Sequence, residues 1–254
     1  MIMQQQQVHM DQRICQQCSE KQSLSFDFTM AFQPIVNVAD NTIFGYEALV
    51  RGLNNESAYS IIEQVSDDNR YRFDQLCRIK AIKLAAKLKL SGILSINFLP
   101  NAVYQPERCI RTTLEAAKQF GFPTERIMFE FTEVEKIVDT AHIKRIVAYY
   151  SNLGFTTAID DFGAGYAGLG LLVNFQTKIV KLDMSLLRNI DQDITKQAIV
   201  RHTVAMLIEL GICPLAEGIE TQQEMLWLKR LGIELMQGYY FAKPEFEALP
   251  TVTF

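Results

Sequence analysis

The sequence predicts a single parallel α/β barrel, and three observations carry that prediction. Apolar strand-like runs alternate with amphipathic helical stretches from Met30 onward, and several of those stretches end at a glycine, which implies right-handed parallel crossovers. Glu47, Asn97, Glu130, Asp160, Lys181, Glu217 and Gln237 each stand at or near the C-terminal end of a different apolar run. A closed parallel barrel gathers all such ends on one face, whereas an open sheet spreads them along an edge. No G-x-G-x-x-G or G-x-x-x-x-G-K loop is present, which counts against a doubly wound nucleotide-binding sheet.

In chain order, Met1 to about Asp27 is Gln-rich and weakly patterned, and is expected to be a tail or helix outside the main fold. It contains Cys15-Gln-Gln-Cys18, but a zinc site needs a second ligand pair and none is evident. These cysteines are read as structural, with a dimer-linking zinc as the alternative. Met30–Val36 and Thr42–Gly52 read as two strands about an Asp40-Asn41 turn, ahead of the first long helix, Tyr71–Leu90. That helix places Phe73, Leu76, Cys77, Ala81, Leu84 and Leu88 on one side, and its basic run, Arg78, Lys80, Lys83, Lys87 and Lys89, is expected to be a solvated face.

Gly92–Pro100 is the next strand, followed by a helix over about Pro106 to Phe120. Strand Ile127–Glu133 precedes a helix from Thr140 to Leu153. Strand Phe155–Asp160 then leads to strand Lys178–Asp183 and a helix near Ile194 to Leu210. Cys213–Glu220, a helix from Gln222 to Leu231, and Ile233–Tyr239 complete the series. The barrel is bounded at about residues 28–246, with 247–254 as a C-terminal tail.

Composition narrows the function classes. The chain has 254 residues, 48% hydrophobic and 21% charged, and a net charge of -4, which argues against a general nucleic-acid coat. There is no apolar run suited to a signal peptide and no stretch of about 18 apolar residues, so a cytoplasmic protein without a membrane segment is expected. Five scattered cysteines fit reduced thiols. Cys77, Cys109 and Cys213 sit among apolar residues and are expected to be small buried hydrophobes.

The chemistry concentrates at Asp160-Asp161. Two adjacent carboxylates repel one another beside an apolar strand unless a cation lies near them. Alone, the pair would be read as a polar turn. With three Glu, one Asn and these two Asp on one barrel face, there are oxygen donors for two hard cations, Mg²⁺ or Mn²⁺. Two such ions suit the hydrolysis of a phosphodiester by in-line displacement. Lys181 would orient an attacking water or screen developing charge, and Gln237 would hold a water by hydrogen bonding.

Glu47-Ala-Leu-x-Arg51 resembles the signature of EAL domains, bacterial phosphodiesterases that linearise cyclic di-GMP. Gln33-Pro-Ile, Asn97-x-x-Pro100, Glu130-x-Thr-Glu133, Asp160-Asp-Phe-Gly-x-Gly-Tyr166, Lys181-x-Asp183, Glu217-Gly-x-Glu220 and Gln237-Gly-Tyr match in order, over about Phe28 to Pro244. Loop wording such as Gly165-Tyr-Ala-Gly-Leu169 is similar to that of EAL domains found behind blue-light sensor domains. The resemblance implies a (β/α)8 barrel of the TIM type whose first strand runs antiparallel, which agrees with the two strands before the first long helix.

It further implies that Glu47, Asn97, Glu130 and Asp160 bind one metal and that Asp160, Asp161 and Glu217 bind a second, with Glu217 as an alternative general base. Lys181 would contact the nucleophilic water and Gln237 a metal-bound water, while Glu133 would brace the loop after Asp161. Gln33 and Arg51 would contact the ligand, the arginine pairing a phosphate, and Asp183 would lie near a guanine edge. The expected activity is hydrolysis of cyclic di-GMP to linear pGpG by a homodimer. The alternative is a catalytically silent domain that binds cyclic di-GMP or a protein partner. Ala167 and Gly168 replace hydroxyl residues common in the family, in a loop thought to couple dimerisation to metal binding. A cyclase or sensor domain is not expected within this sequence.

Overall fold

A computed structural model describes residues 24–99, 103, 105–131, 140–164 and 169–254. The Cys15-Cys18 motif, Pro100, Glu133 and the loop residues 165–168 lie outside the described residues. Eight strands close into a barrel: β1 (Thr29–Asn37), β2 (Thr42–Arg51), β3 (Ile93–Phe98), β4 (Ile127–Phe131), β5 (Thr156–Phe162), β6 (Ile179–Leu182), β7 (Cys213–Ala216) and β8 (Leu235–Met236). They pair in the order β2 to β8 and then β1, which returns to β2. β1 runs antiparallel to both neighbours, and every other barrel pairing is parallel. The predicted architecture, with its first strand reversed, is therefore the observed one. A short strand, β9 (Glu245–Phe246), adds antiparallel to β1.

The helices are α1 (Ala58–Ile62), α2 (Arg70–Lys87), α3 (Pro106–Cys109), α4 (Arg111–Phe120), α5 (Thr140–Asn152), α6 (Leu169–Asn174), α7 (Met184–Leu187), α8 (Ile194–Glu209) and α9 (Gln222–Arg230). The helix expected over 106–120 divides at Ile110, whose backbone nevertheless stays right-handed (φ -77°, ψ -17°). α9 starts with a capping box in which Thr221 and Glu224 satisfy each other's backbone N–H groups. No helix among the described residues is long and apolar enough to cross a membrane.

Period-two alternation sets which side chains enter the barrel. Ile35, Met128, Ala158, Ile179, Leu215 and Leu235 form a buried apolar cluster of their own inside it. Two residues further along each parallel strand, the same inward face carries Glu130, Asp160, Lys181, Glu217 and Gln237. On the reversed β1 the step runs the other way, from Ile35 to Gln33, which is in register with Glu47 on β2. The outward residues, such as Ile96, Phe98, Phe129 and Phe131, join the larger core beneath the helices.

Two expectations are corrected. Arg78 is not on a solvated face. It is 1% exposed, paired with Asp74 one turn earlier on α2, with its guanidinium over Phe98 (4.9 Å) and Phe129 (5.7 Å). Lys80 is half-buried and binds Asp27 at 2.6 Å and the Phe28 carbonyl at 2.7 Å, whereas Lys83, Lys87 and Lys89 do face solvent. Cys213 is exposed, because it opens β7 at the barrel's N-terminal rim, while Cys77 and Cys109 are buried as expected.

Candidate metal centre

The C-terminal mouth of the barrel gathers the predicted residues about Lys181, which is buried. Its Nζ lies 2.8 Å from Glu130 Oε2, 2.8 Å from Glu217 Oε1, 2.9 Å from Asp160 Oδ1 and 3.5 Å from Glu47 Oε2. Gln237 Nε2 donates to Glu47 Oε2 at 2.8 Å and to Gln33 Oε1 at 3.2 Å, and Asn97 Nδ2 donates to Glu47 Oε1 at 2.7 Å. Asn97 and Glu130 are register partners across β3 and β4, which places their donors side by side.

Two carboxylate groups arise, each with its ligand atoms within 4.8 Å of one another: Glu47, Glu130 and Asp160, and Asp160, Asp161 and Glu217. Asp160 belongs to both. On a regular strand Asp161 would point away from Asp160. Here the β5–β6 pairing slips between Ile159 and Phe162, and Asp161 takes a left-handed backbone (φ 53°). This bulge aims both acids at the mouth, at a conformational cost that an aspartate tolerates better than most residues. Gly163 follows with φ 100°, where a Cβ would sit 2.4 Å from Leu186 of α7. Gly218, after Glu217, lies equally close to Met184 of the same helix, so both loops are pressed against α7.

The electrostatics show an excess of negative charge. Burial raises the Glu130 carboxyl to about 8, and the neighbouring Glu47 and Asp160 add to this against the opposing pull of Lys181. Glu217 is likewise pushed well above the usual carboxylate range, first by burial and then by Asp160, Glu47 and Glu130, again in spite of Lys181. Asp161 rises to about 6 through burial, then through Asp160 and Asp183. Burial alone would lower Lys181, but the four surrounding carboxylates outweigh it and hold the ammonium charged. One ammonium thus leaves these acids under-compensated. Glu130 Oε1 is buried without a hydrogen-bond partner. An oxygen-only donor set with a free buried carboxylate oxygen fits a hard divalent cation.

The outer residues are placed as follows. Gln33 also donates to the Ala242 carbonyl at 3.2 Å, which ties the centre to the segment after β8. Arg51 ends β2, half-buried, with Nη1 on the Val50 carbonyl at 2.7 Å. Asp183 caps α7, its carboxylate accepting from the Ser185 N–H at 2.9 Å. Glu133 is outside the described residues. Asp74 escaped the sequence reading, although an Asp-x-x-x-Arg pair within an apolar stripe was the available signal.

The EAL domain model matches residues 16–244. The chain belongs to the EAL domain family. The blue light- and temperature-regulated antirepressor BluF of Escherichia coli K12 is 31% identical over 223 residues, covering 87% of this chain and 55% of BluF. The cyclic di-GMP phosphodiesterase PdeR of the same organism is 31% identical over 178 residues, covering 69% of this chain and 26% of PdeR. The chain thus spans about half the length of the first relative and about a quarter of the second.

Among solved structures, a standalone versatile EAL protein of Vibrio cholerae O395 in its c-di-GMP bound form is 67% identical with a TM-score of 0.89. That match covers 91% of this chain and 98% of that one. The manganese and cyclic di-GMP complex of Klebsiella pneumoniae BlrP1 is 34% identical with a TM-score of 0.82, covering 90% of this chain and 59% of that one.

Proposed function

We propose that this EAL domain is a metal-dependent phosphodiesterase that opens cyclic di-GMP to linear pGpG. The observation that carries the reading is the pair of carboxylate groups sharing Asp160 about a buried, under-compensated acidic centre. Glu47, Asn97, Glu130 and Asp160 would hold one Mg²⁺ or Mn²⁺, and Asp160, Asp161 and Glu217 a second. Two bound ions supply a lowered water pKa and charge neutralisation at a phosphodiester. The c-di-GMP and manganese complexes of relatives support both the ligand and the metal class.

The chain's own residues then divide the work. Glu217 would be the alternative general base toward the attacking water, and both that role and its hold on an ion require its carboxylate form. Lys181, fixed by four carboxylates, orients that water. Gln237 bridges Glu47 and Gln33, and so links the acidic centre to a ligand contact on β1. Arg51, at the rim, pairs a phosphate of the substrate, and Asp183 lies where a guanine edge would reach it. Water adds at phosphorus as one P–O ester bond breaks, and the released sugar oxygen takes up a proton. The working unit is a homodimer, which light scattering would test.

The deciding experiment is incubation of the purified protein with cyclic di-GMP and Mn²⁺, followed by separation of the products. Appearance of pGpG that stops on chelation is the expected result. A second reading, a module that binds cyclic di-GMP or a protein partner without cutting, is favoured by the naming of BluF as an antirepressor. It wins if the nucleotide binds in the presence of Mn²⁺ and no pGpG appears over hours.

A further inference from the structure

We propose that Asp74 is a positioning residue for Asn97, acting through the backbone of the strand end that carries it. Asn97 occupies the last inward position of β3, and among the described residues the β3–β4 ladder pairs as far as Phe98 with Phe131. Leu99, the next residue, donates its N–H at 3.1 Å to Asp74 Oδ1 on α2. The other carboxylate oxygen of Asp74 is held by Arg78. The strand end is therefore pinned to a helix, two residues beyond Asn97, by a carboxylate that a buried guanidinium keeps in place. That guanidinium lies over Phe98 and Phe129, the outward neighbours of Asn97 and Glu130. The ion pair stands behind the sheet at the level where β3 and β4 present their donors to the mouth.

Stability is a poor account of this pair. Both members are almost fully buried, and buried ion pairs are often replaceable by apolar residues of similar volume at no loss of stability. What an apolar pair does not supply is an acceptor for the Leu99 N–H, and without it the end of β3 loses its tie to α2. Donor positions at a reacting or metal centre are sensitive to displacements of about an ångström.

This inference rests on Asn97 being a donor of the proposed centre, so its test reads Mn²⁺ affinity directly, from free Mn²⁺ by electron paramagnetic resonance in the absence of nucleotide. Two double variants lack the buried charges and differ in the acceptor. Asp74→Asn with Arg78→Met keeps an oxygen for the Leu99 N–H, and Asp74→Leu with Arg78→Met removes it. The expected result is Mn²⁺ affinity within about twofold of the parent for the first and weaker by about tenfold for the second, the lower end for lost outer-shell partners. Equal affinity in parent and Leu/Met variant, or equal weakening in both variants, overturns the proposal while leaving the centre standing. Absence of Mn²⁺ uptake by the parent overturns both.

A measurement on the parent protein covers the case of a variant that does not fold. By reciprocity, a bond that favours Mn²⁺ is itself strengthened by Mn²⁺. Hydrogen exchange at the Leu99 amide should slow on Mn²⁺ addition, and an amide that exchanges equally fast with and without the ion refutes the coupling.

Discussion

The two carboxylate groups at the barrel mouth are built on different principles. Glu47 and Glu130 sit at inward positions of regular strands, Asp160 joins them where the β5 bulge begins, and all three are buried and cross-braced by Asn97, Gln237 and Lys181. Asp161 and Glu217 are half-buried and stand on a bulge and on a loop that begins where β7 ends, both pressed against α7. The first group takes two of its three acids directly from the barrel ladder. The second depends on local conformations that nothing in the ladder enforces. The inner ion site should accordingly be rigid and the outer one adjustable.

The sharpest way to break that contrast is to remove one ligand from each group. Glu130→Gln keeps the volume and loses the charge, and turnover of cyclic di-GMP with Mn²⁺ should fall by roughly 10³-fold or more, the several kcal/mol that a lost ion interaction represents. Asp161→Asn should cost about 10²-fold, or ~2.7 kcal/mol, and titration should show one Mn²⁺ per chain instead of two. Equal losses in both variants with unchanged stoichiometry would dissolve the distinction between the groups.

How far each group could be read from the sequence follows the same division. The end of an apolar run identifies Glu47, Glu130 and Asp160, because a parallel barrel gathers those ends on one face. The seven strand ends predicted to converge do converge, and the reversed β1 is present. The bulge at Asp160-Asp161 leaves no such trace, since a one-residue slip is settled by pairing with β6. The neighbourhood of Asp161 came instead from the motif. Arg78 was misplaced for a related reason. Helical periodicity assigns a charged residue to water, and its burial here rests on Asp74 one turn earlier on the same helix together with the tertiary partners Phe98 and Phe129. Cys213 was misplaced because an apolar neighbourhood in sequence says nothing about a barrel rim.

Lys181 offers a second test, on stability. It is the sole cation shown among four carboxylates of the described centre. Lys181→Met should destabilise the metal-free protein by about 3–5 kcal/mol, as expected when one partner of a buried ion network is removed. Melting in EDTA should shift down by roughly 10 °C for a chain of this size. Mn²⁺ should restore much of the loss by supplying the missing charge. A variant as stable as the parent in EDTA would mean that the carboxylates relieve their repulsion by protonation alone.

A smaller effect is expected at Gly163, which tests the adjustable group without touching a ligand. With φ at 100° and Leu186 in the way, Gly163→Ala should cost about 1–2 kcal/mol of backbone strain. Leu186 would shift and the bulge with it. Activity should fall by about tenfold through the outer ion, the ~1.4 kcal/mol that separates a decade, while the affinity of the inner site for Mn²⁺ stays within about twofold. Equal weakening of both ions would show that the ladder and the loop move together.

The mildest probe is pH. Ligand carboxylates must lose their protons to take up a metal, so affinity rises with pH wherever a ligand titrates. Asp161 titrates at about 6 and Glu130 at about 8 in the metal-free protein. Uptake at the outer site should therefore strengthen between roughly pH 5 and 7, by at most about tenfold per unit for one proton displaced. Both sites should go on gaining above that range, the inner one up to about pH 8.5 because Glu130 releases its proton later, and the outer one because Glu217 too is held above the usual carboxylate range. Asp161→Asn should abolish the lower step and leave the upper one. Calorimetric titration across this range in two buffers of different ionisation heat would count the protons released at each step. A profile flat from pH 5 to 9 would mean that neither carboxyl holds a proton when the ion arrives, and the picture of an under-compensated acidic centre would have to be given up.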